Sequence, residues 1–183
     1  MDIVRGPRLG VDVGSVRVGL AASDPDGLIA TPVETLARDT RKPSAGQLSK
    51  DIAQIVREVH ERRAQCVYVG LPRHLSGAEG ASSEAARAYA VWLAQAVAPV
   101  TVRMVDERMS TVSAHQALHA SGRSGRSHRQ VVDQAAAVVI LQSALDAERA
   151  SGRRPGERVD VDPTSHAPVA RGGAAGDART TVE

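Results

Sequence analysis

The chain has 183 residues, a formal net charge of +2 at pH 7, 42% hydrophobic residues and only 2% aromatic residues. This length fits one domain with an aliphatic core, and the shortage of aromatic residues argues against a base-stacking nucleic-acid module. The single cysteine, Cys66, excludes an intramolecular disulfide framework and a cysteine-based zinc cluster. Because no apolar run approaches the roughly 20 residues of a membrane span and no hydrophobic signal region is seen at the start, we expect a cytoplasmic protein without a membrane partner.

Three strands in hairpin order open the chain. Alternating apolar residues predict strands over Arg8–Gly14, Val16–Ser23 and Leu28–Leu36, and a strong turn sequence at residues 24–27 separates the last two. Pro32 interrupts the third strand, which predicts an edge position because proline cannot donate a ladder hydrogen bond. The pattern therefore predicts an antiparallel start to the sheet.

The following segments alternate between helical and strand periodicity. We predict helices over residues 47–63, 83–97, 110–120 and 130–147, and strands over residues 65–71 and 100–105. A three-stranded meander followed by α/β crossovers is the ribonuclease H-like arrangement, which also resembles half of an actin-type or Hsp70-type ATPase. The predicted fold class is therefore α/β and ribonuclease H-like, with a mixed five-stranded sheet flanked by helices.

The carboxyl-terminal part differs in composition from the rest. From Ser151 onward the chain contains no Leu, Ile, Met or aromatic residue, whereas glycine, proline and arginine are frequent. Such a segment buries too little apolar surface to offset its ordering entropy. We predict a ribonuclease H-like nuclease domain over residues 1–148 and a disordered tail over residues 149–183. Truncation after Ala150 is expected to leave folding intact.

Asp12 is a carboxylate inside the apolar strand sequence LGVDVG. Burying an unpaired carboxylate is costly, whereas Gly10 and Gly14 on the same face leave open space beside it. One interpretation is that Arg17 or turn amides satisfy the carboxylate. The other is that it binds a hard cation or an ion-bridged phosphate.

Further acidic residues occur at two later positions. Asp106 and Glu107 follow the last predicted strand, and Asp133 lies near the start of the last predicted helix, beside small apolar residues. Acids also favour helix amino termini for electrostatic reasons, so each position has a structural interpretation. Taken with Asp12, they can converge on two Mg²⁺ or Mn²⁺ ions about 3.5–4 Å apart, an arrangement that hydrolyses phosphodiesters. Spacing along the sequence does not establish that convergence.

Four ordered blocks resemble the YqgF family, also called Holliday junction resolvase-like proteins or pre-ribosomal-RNA nucleases. The blocks are residues 11–21, residues 68–72 with Ser76 and Gly77, residues 106–111 and residues 132–142. The resemblance implies a ribonuclease H-like fold, a metal-dependent phosphodiesterase site and a role in maturing the ends of small-subunit (16S) ribosomal RNA.

The family's three acids fall on Asp12, Glu107 and Asp133, which the resemblance makes the catalytic and metal-binding residues. Asp106 is then a structural partner of the site, or the ligand in place of Glu107. The chain departs from the family at His74 and Ser76, where members commonly carry Asn and Asp or Asn. Because these two residues lie in a loop that is expected to contact the substrate, the difference bears on which substrate this chain accepts.

Basic and hydroxyl side chains near these acids are candidate phosphate contacts. The basic stretch 121–129 directly precedes Asp133 and is either a grip on a nucleic-acid backbone or a solvated loop. The hydroxyls after Glu107 cap the next helix, contact phosphate at its amino terminus, or do both. The predicted nucleic-acid-binding residues are Arg17, Arg108, Ser110, Thr111, Arg123, Arg126 and Arg129.

We therefore predict a hydrolase, a two-metal-ion nuclease that uses Mg²⁺ or Mn²⁺ and acts on pre-ribosomal RNA. The ribosomal subunit is a further predicted partner, and the chain is a monomer or a homodimer. One alternative is a Holliday junction resolvase acting on branched DNA, for which a symmetric cut needs a dimer with two sites. Another is a non-catalytic RNA-binding ribosome-assembly factor on an inherited fold. Actin-type nucleotide binding is disfavoured because the chain has neither a P-loop nor a second phosphate-binding element.

Overall fold

The computed structural model describes residues 3–40, 47–74, 76–107 and 126–161, and within residues 126–134 it describes the helical backbone but not the side chains. The predicted helix over residues 110–120 lies outside this part of the chain. None of the described helices combines the length and hydropathy that a membrane-spanning segment requires. In chain order the elements are β1 (Arg8–Val13), β2 (Arg17–Ser23), β3 (Ala30–Ala37), α1 (Lys50–Arg62), β4 (Cys66–Leu71), α2 (Ala81–Val97), β5 (Thr101–Asp106), α3 (Arg126–Ser151) and β6 (Glu157–Arg158).

The strands form one mixed sheet in the order β3-β2-β1-β4-β5-β6. The pairs β1–β2 and β2–β3 are antiparallel, and β4 pairs in parallel with β1 on one side and with β5 on the other. The predicted α/β class, with its antiparallel meander and parallel crossovers, is confirmed. The predicted count of five strands is wrong, because β6 adds a sixth, antiparallel to β5.

Strand β3 lies at an edge of the sheet, as Pro32 predicts. Pro32 pairs with Ala21 beside a shift in register between Leu20 and Ala21. A bulge on an edge strand is a place where a residue without an amide hydrogen costs little. The edge position and the bulge thus explain why β3 tolerates a proline.

Each face of the sheet has its own hydrophobic core. Helices α1 and α2 cover one face, where Leu9 and Val11 of β1 pack with residues such as Ile55 and Leu93. Helix α3 covers the other face, where Tyr68 packs with residues such as Leu141. This second layer is close to the sheet, since a Cβ added at Gly10 would lie 2.6 Å from the Leu141 Cβ.

Helix α3 is longer at both ends than the apolar pattern predicts. It begins at Arg126, so the prediction of a loop over residues 126–129 is wrong. It continues to Ser151, where Gly152, with a φ of 65°, donates a backbone hydrogen bond to the Glu148 carbonyl. Glycine in this left-handed conformation commonly ends a helix. Polar helix ends carry no apolar stripe, so periodicity finds only the middle of such a helix.

Residues 152–161, here called the strap, are ordered and follow directly on α3. The prediction that a disordered tail starts at residue 149 is therefore wrong for residues 149–161. The strap returns along β5, and the Val159 amide donates to the Val102 carbonyl at 3.0 Å. Val159 and Val161 pack against the core on the α1–α2 face. Amino-acid composition did not predict the strap, because backbone hydrogen bonds, polar side-chain contacts and only two valines hold it. Residues 162–183 of the predicted tail lie outside the described part of the chain.

Candidate active site at the carboxyl ends of β1 and β5

The parallel strands β1, β4 and β5 end at the same edge of the sheet. Asp12 is the second-last residue of β1, and Glu107 directly follows β5, with β4 between them. Val11 lies opposite Val69 and Leu71 opposite Asp106, so the three strands end at nearly the same level. In open α/β sheets this edge is where ligands bind.

Asp12 and Glu107 lie on the face that α3 covers. In β1, Leu9 and Val11 point into the α1–α2 core, so Asp12, next in the alternation, points to the α3 face. A Cβ built on Gly70 of β4 would lie 2.7 Å from the Glu107 Oε1 atom, so this carboxyl group lies directly over Gly70. The glycine leaves the space that the Glu107 side chain occupies.

The Glu107 carboxyl group is affected by its burial and by the charges of neighbouring acids. Burial, and in addition the negative charges of Asp12 and Asp106, together raise the pKa of Glu107 from 4.5 to about 7. Like charges close together in a half-buried position disfavour ionisation of at least one of them. A divalent cation would relieve this repulsion, and carboxylate oxygens are the ligands that Mg²⁺ and Mn²⁺ prefer. The donor chemistry of this pair therefore fits the predicted metal.

Asp106 lies on the other side of the strand from Glu107. It shares its register position with Leu71, whose side chain belongs to the α1–α2 core. Its Oδ2 atom is 3.9 Å from the Nε atom of Arg73, and Arg73 also pairs with Glu79 at 3.0 Å. The strand direction thus separates the two neighbouring acids, and Glu107 shares the α3 face with Asp12.

Helix α3 runs antiparallel to β1. Its late residue Glu148 bonds Arg8 at the start of β1 at 2.7 Å, whereas the earlier residue Ala137 contacts Gly10 further along the strand. The amino-terminal part of α3 is therefore directed toward the strand ends that carry Asp12 and Glu107. Asp133 belongs to this part, one helical turn before Ala137, but its side chain lies outside the described set. Among the described residues no group of three or more His, Cys, Asp and Glu is arranged to hold a metal ion.

The predicted nucleic-acid contacts are only partly covered by the structure. Arg17 begins β2, and its carbonyl accepts a hydrogen bond from the Gly14 amide at 2.9 Å, which closes the turn after Asp12. Arg126 and Arg129 lie in α3, where only the backbone is described. The positions outside the described residues are Arg108, Ser110, Thr111 and Arg123.

Sequence reasoning missed two residues at this edge, Gly70 and Arg73. Glycine inside a strand often marks a close approach by another group, and Gly70 stands in the strand sequence CVYVGL. Arg73 follows the carboxyl end of β4, two residues after Leu71. Its position at a strand end in the predicted parallel sheet was the signal that could have placed it beside the acids.

Comparison with known proteins adds a family and a fold. The model of the family described as "RuvX: Holliday junction resolvase" matches residues 6–147. A protein of Streptomyces avermitilis is 49% identical over 162 residues, which cover 88% of this chain and 99% of the relative. A protein of Nocardia farcinica is 53% identical over 156 residues, or 85% of this chain and 86% of the relative. Both carry the name "Putative pre-16S rRNA nuclease".

A solved structure of similar fold is that of T. thermophilus RuvC in complex with a Holliday junction substrate. The two structures align with a TM-score of 0.52 over 82% of this chain and 99% of that chain, at 16% sequence identity. At this identity the likeness concerns the fold, and it agrees with the predicted arrangement of strands and helices.

Proposed function

The chain belongs to the RuvX family, and on this premise we propose that it is a nuclease that hydrolyses phosphodiester bonds at the ends of the 16S ribosomal RNA precursor. The names of the relatives support this substrate. The observation that carries the proposal is that the Glu107 carboxyl group lies over Gly70 at the carboxyl edge of the sheet, on the face to which Asp12 also points. Repelling carboxylates reduce stability unless a cation joins them, so their placement favours a catalytic role. A protein with this task would act in the cytoplasm, where ribosomes assemble.

In this proposal Asp12, Glu107 and Asp133 hold Mg²⁺ or Mn²⁺ and are the catalytic residues. Bound ions of this kind supply an activated water and stabilise the leaving oxygen of a phosphodiester. Asp12 lies in β1 and Glu107 directly follows β5, and Gly70 of β4 between them leaves the space that the Glu107 side chain occupies. Asp133 would complete the ligand set from α3.

The phosphate contacts in this proposal rest on the sequence. The planar guanidinium group of one arginine can donate two parallel hydrogen bonds to two oxygens of a phosphate. Arg17 adjoins the turn after Asp12, and the remaining candidates come from the segment between Glu107 and α3 or from the start of α3. These are Arg108, Ser110, Thr111, Arg123, Arg126 and Arg129.

The test is cleavage of an RNA that carries a precursor end of 16S ribosomal RNA, with Mg²⁺, with Mn²⁺ and with EDTA. We expect cleavage only with a divalent ion, and a loss of about 100-fold or more in Asp12→Asn and in Glu107→Gln, because each removes a ligand charge. Asp26→Asn is the matched control, since Asp26 is an exposed carboxylate in the turn at the opposite end of β2. Asp106→Asn separates the two neighbouring acids, and we expect it to retain more activity than Glu107→Gln.

Two outcomes would overturn the proposal. Full activity in Asp12→Asn, with controls that exclude contaminating nuclease, would contradict the assignment of these carboxylates to catalysis. Binding of the precursor without cleavage at any metal concentration, alone and with ribosomal subunits added, would favour a non-catalytic assembly factor.

Holliday junction cleavage is the second candidate function, and the description of the family favours it. It would use the same acids but needs a dimer that presents two sites to the junction. Four-way junction DNA and precursor RNA, compared at equal protein concentration, separate the two functions. Sedimentation of the protein with the junction would show whether two copies bind.

A further inference from the structure

The strap, residues 152–161, lies beyond the residues that match the family model, which end at 147. It runs beside β5, the strand that leads into Glu107. Arg158 lies opposite Arg103 and Glu157 opposite Met104, so the strap pairs with the middle of β5. The Arg103 guanidinium donates to the Pro155 carbonyl at 2.7 Å and also to the Gly156 carbonyl.

The fit between strap and β5 is tight at Gly156. Gly156 has a φ of 78°, and a Cβ added there would overlap the Met104 carbonyl oxygen and lie 2.8 Å from Val105 Cγ1. No other residue type is accommodated at this position without moving either the strap or β5. Pro155 also lines a small cleft next to Asp106, Glu107 and Ile140. The strap therefore forms part of the wall beside Glu107.

A series of ion pairs connects the strap to the same strand end from the other side. Glu157 pairs with Arg87 of α2 at 3.0 Å, and Arg87 pairs with Glu79 at 2.7 Å. Glu79 pairs with Arg73 at 3.0 Å, and Arg73 approaches Asp106 at 3.9 Å. The alternating charges thus run from β6 to the residue that precedes Glu107.

From these contacts we infer that the strap is a positioning element for Glu107, an inference that rests on the proposed nuclease function. Gly156 and Pro155 set the position of the end of β5 by direct packing. Glu157, through Arg87 and Glu79, orients Arg73 against Asp106. Groups that support metal-binding side chains commonly change metal affinity or activity by about 10- to 100-fold when they are removed.

The chain offers a matched pair of variants to test this inference. Gly156→Ala introduces a methyl group against β5, whereas Gly152→Ala introduces one at a φ of 65° with nothing within 4 Å. Both substitutions place alanine in a left-handed conformation, so the backbone strain is similar and only the contact with β5 differs. Glu157→Gln, at an exposed position, breaks the ion-pair series without a steric change.

Four quantities are measured on the full chain: Tm, kcat and KM for the precursor RNA, and the Mn²⁺ midpoint from calorimetry without RNA. Relative to Gly152→Ala, we expect Gly156→Ala to lower kcat by about tenfold and to weaken Mn²⁺ binding, with KM changed by less than about twofold. Glu157→Gln is expected to give a smaller loss of kcat, about two- to threefold, because Glu79 still holds Arg87.

The outcomes separate this inference from the proposed function. If the wild-type protein neither cleaves nor binds Mn²⁺, the proposed function fails and the role of the strap fails with it. If the wild-type protein is active and the two glycine variants have equal kcat and equal Mn²⁺ midpoints, the inference alone is overturned. A lower Tm in Gly156→Ala with unchanged kcat and Mn²⁺ midpoint also overturns it, because the strap then has only a structural role.

Discussion

At the scale of single residues, two glycines on neighbouring strands bring different groups close to the sheet. A Cβ at Gly10 would meet the Leu141 Cβ at 2.6 Å, and a Cβ at Gly70 would meet Ile140 Cδ1 at 2.6 Å and Glu107 Oε1 at 2.7 Å. The methyl group would meet a Cβ and a backbone carbonyl oxygen at Gly10 and the movable ends of two side chains at Gly70, and only Gly70 adjoins a carboxylate of the candidate site. The difference allows packing and chemistry to be separated.

We predict that Gly70→Ala lowers kcat for the precursor RNA by about tenfold or more, because it displaces Glu107. Gly10→Ala is the control, and both variants are expected to lose about 1–3 kcal/mol of unfolding free energy through overpacking. Cleavage kinetics and urea unfolding of both proteins provide the measurement. Equal losses of kcat in the two variants would contradict a specific effect of Gly70 on the position of Glu107.

The raised pKa of Glu107 predicts a pH-dependent cost in the metal-free protein. Its pKa is about 7 in the folded state against an ordinary value of 4.5, so ionisation opposes folding as the pH rises through this window. Glu107→Gln removes this cost, and in EDTA at pH 8 we expect it to be more stable than the wild type by about 1–2 kcal/mol after allowing for solvent screening.

The advantage of Glu107→Gln should vanish near pH 4, where Glu107 is protonated in both folded and unfolded states. Urea unfolding at several pH values in EDTA measures the difference in unfolding free energy between the variant and the wild type. A constant difference between wild type and variant across this range would contradict the assigned cause. Asp12→Asn is an internal check, because removal of the Asp12 charge should lower the pKa of Glu107 and reduce the pH dependence.

At the scale of elements, a buried polar cluster anchors the late part of α3 to the sheet. Arg8 of β1 pairs with Glu148 of α3 at 2.7 Å, and the Tyr68 hydroxyl of β4 donates to the same carboxylate. All three side chains are almost completely buried. The cluster sets where α3 lies along β1, and thereby which helix residues reach the strand ends that carry Asp12.

Removal of one partner from this cluster should be costly. We predict that Glu148→Ala lowers the unfolding free energy by about 3–5 kcal/mol, because it leaves the Arg8 charge buried without its partner. Tyr68→Phe should cost about 1.5–3 kcal/mol, the value of one hydrogen bond to a charged group. The surface pair Glu58–Arg62, whose nitrogen and oxygen are also 2.7 Å apart, is the control, and Glu58→Ala should stay within about 0.5 kcal/mol. Similar costs in Glu58→Ala and Glu148→Ala, measured by urea unfolding, would contradict this account.

At the scale of the whole molecule, the strap revises the expectation that truncation after Ala150 is harmless. The strap pairs with β5 through backbone hydrogen bonds, and Val159 and Val161 pack on the core. We predict that truncation after residue 151 lowers the unfolding free energy by about 2–4 kcal/mol, from the lost apolar burial and hydrogen bonds. Truncation after residue 161 should have little effect, because the removed sequence contains few large apolar residues. Equal Tm values for the two truncated proteins and the full chain would contradict this prediction.

The sequence by itself determined the class of fold, the order of most elements and the candidate acids Asp12, Asp106, Glu107 and Asp133, among which the family resemblance favoured Glu107 over Asp106. The reason is that strand and helix periodicities are local properties, and an acid inside an apolar strand such as Asp12 is conspicuous without any neighbour. The edge position of β3 also followed from a local cause, the missing amide hydrogen of Pro32.

Only the tertiary structure decided which residues meet. The register of β1, β4 and β5 puts Glu107 over Gly70 on the face of Asp12 and turns Asp106 to the other face, a choice that depends on strand pairing. The strap escaped sequence analysis for a related reason, since backbone hydrogen bonds to β5 leave almost no trace in composition. Contacts between residues far apart in the chain depend on how helices and strands pack, and one sequence without its fold does not reveal that packing.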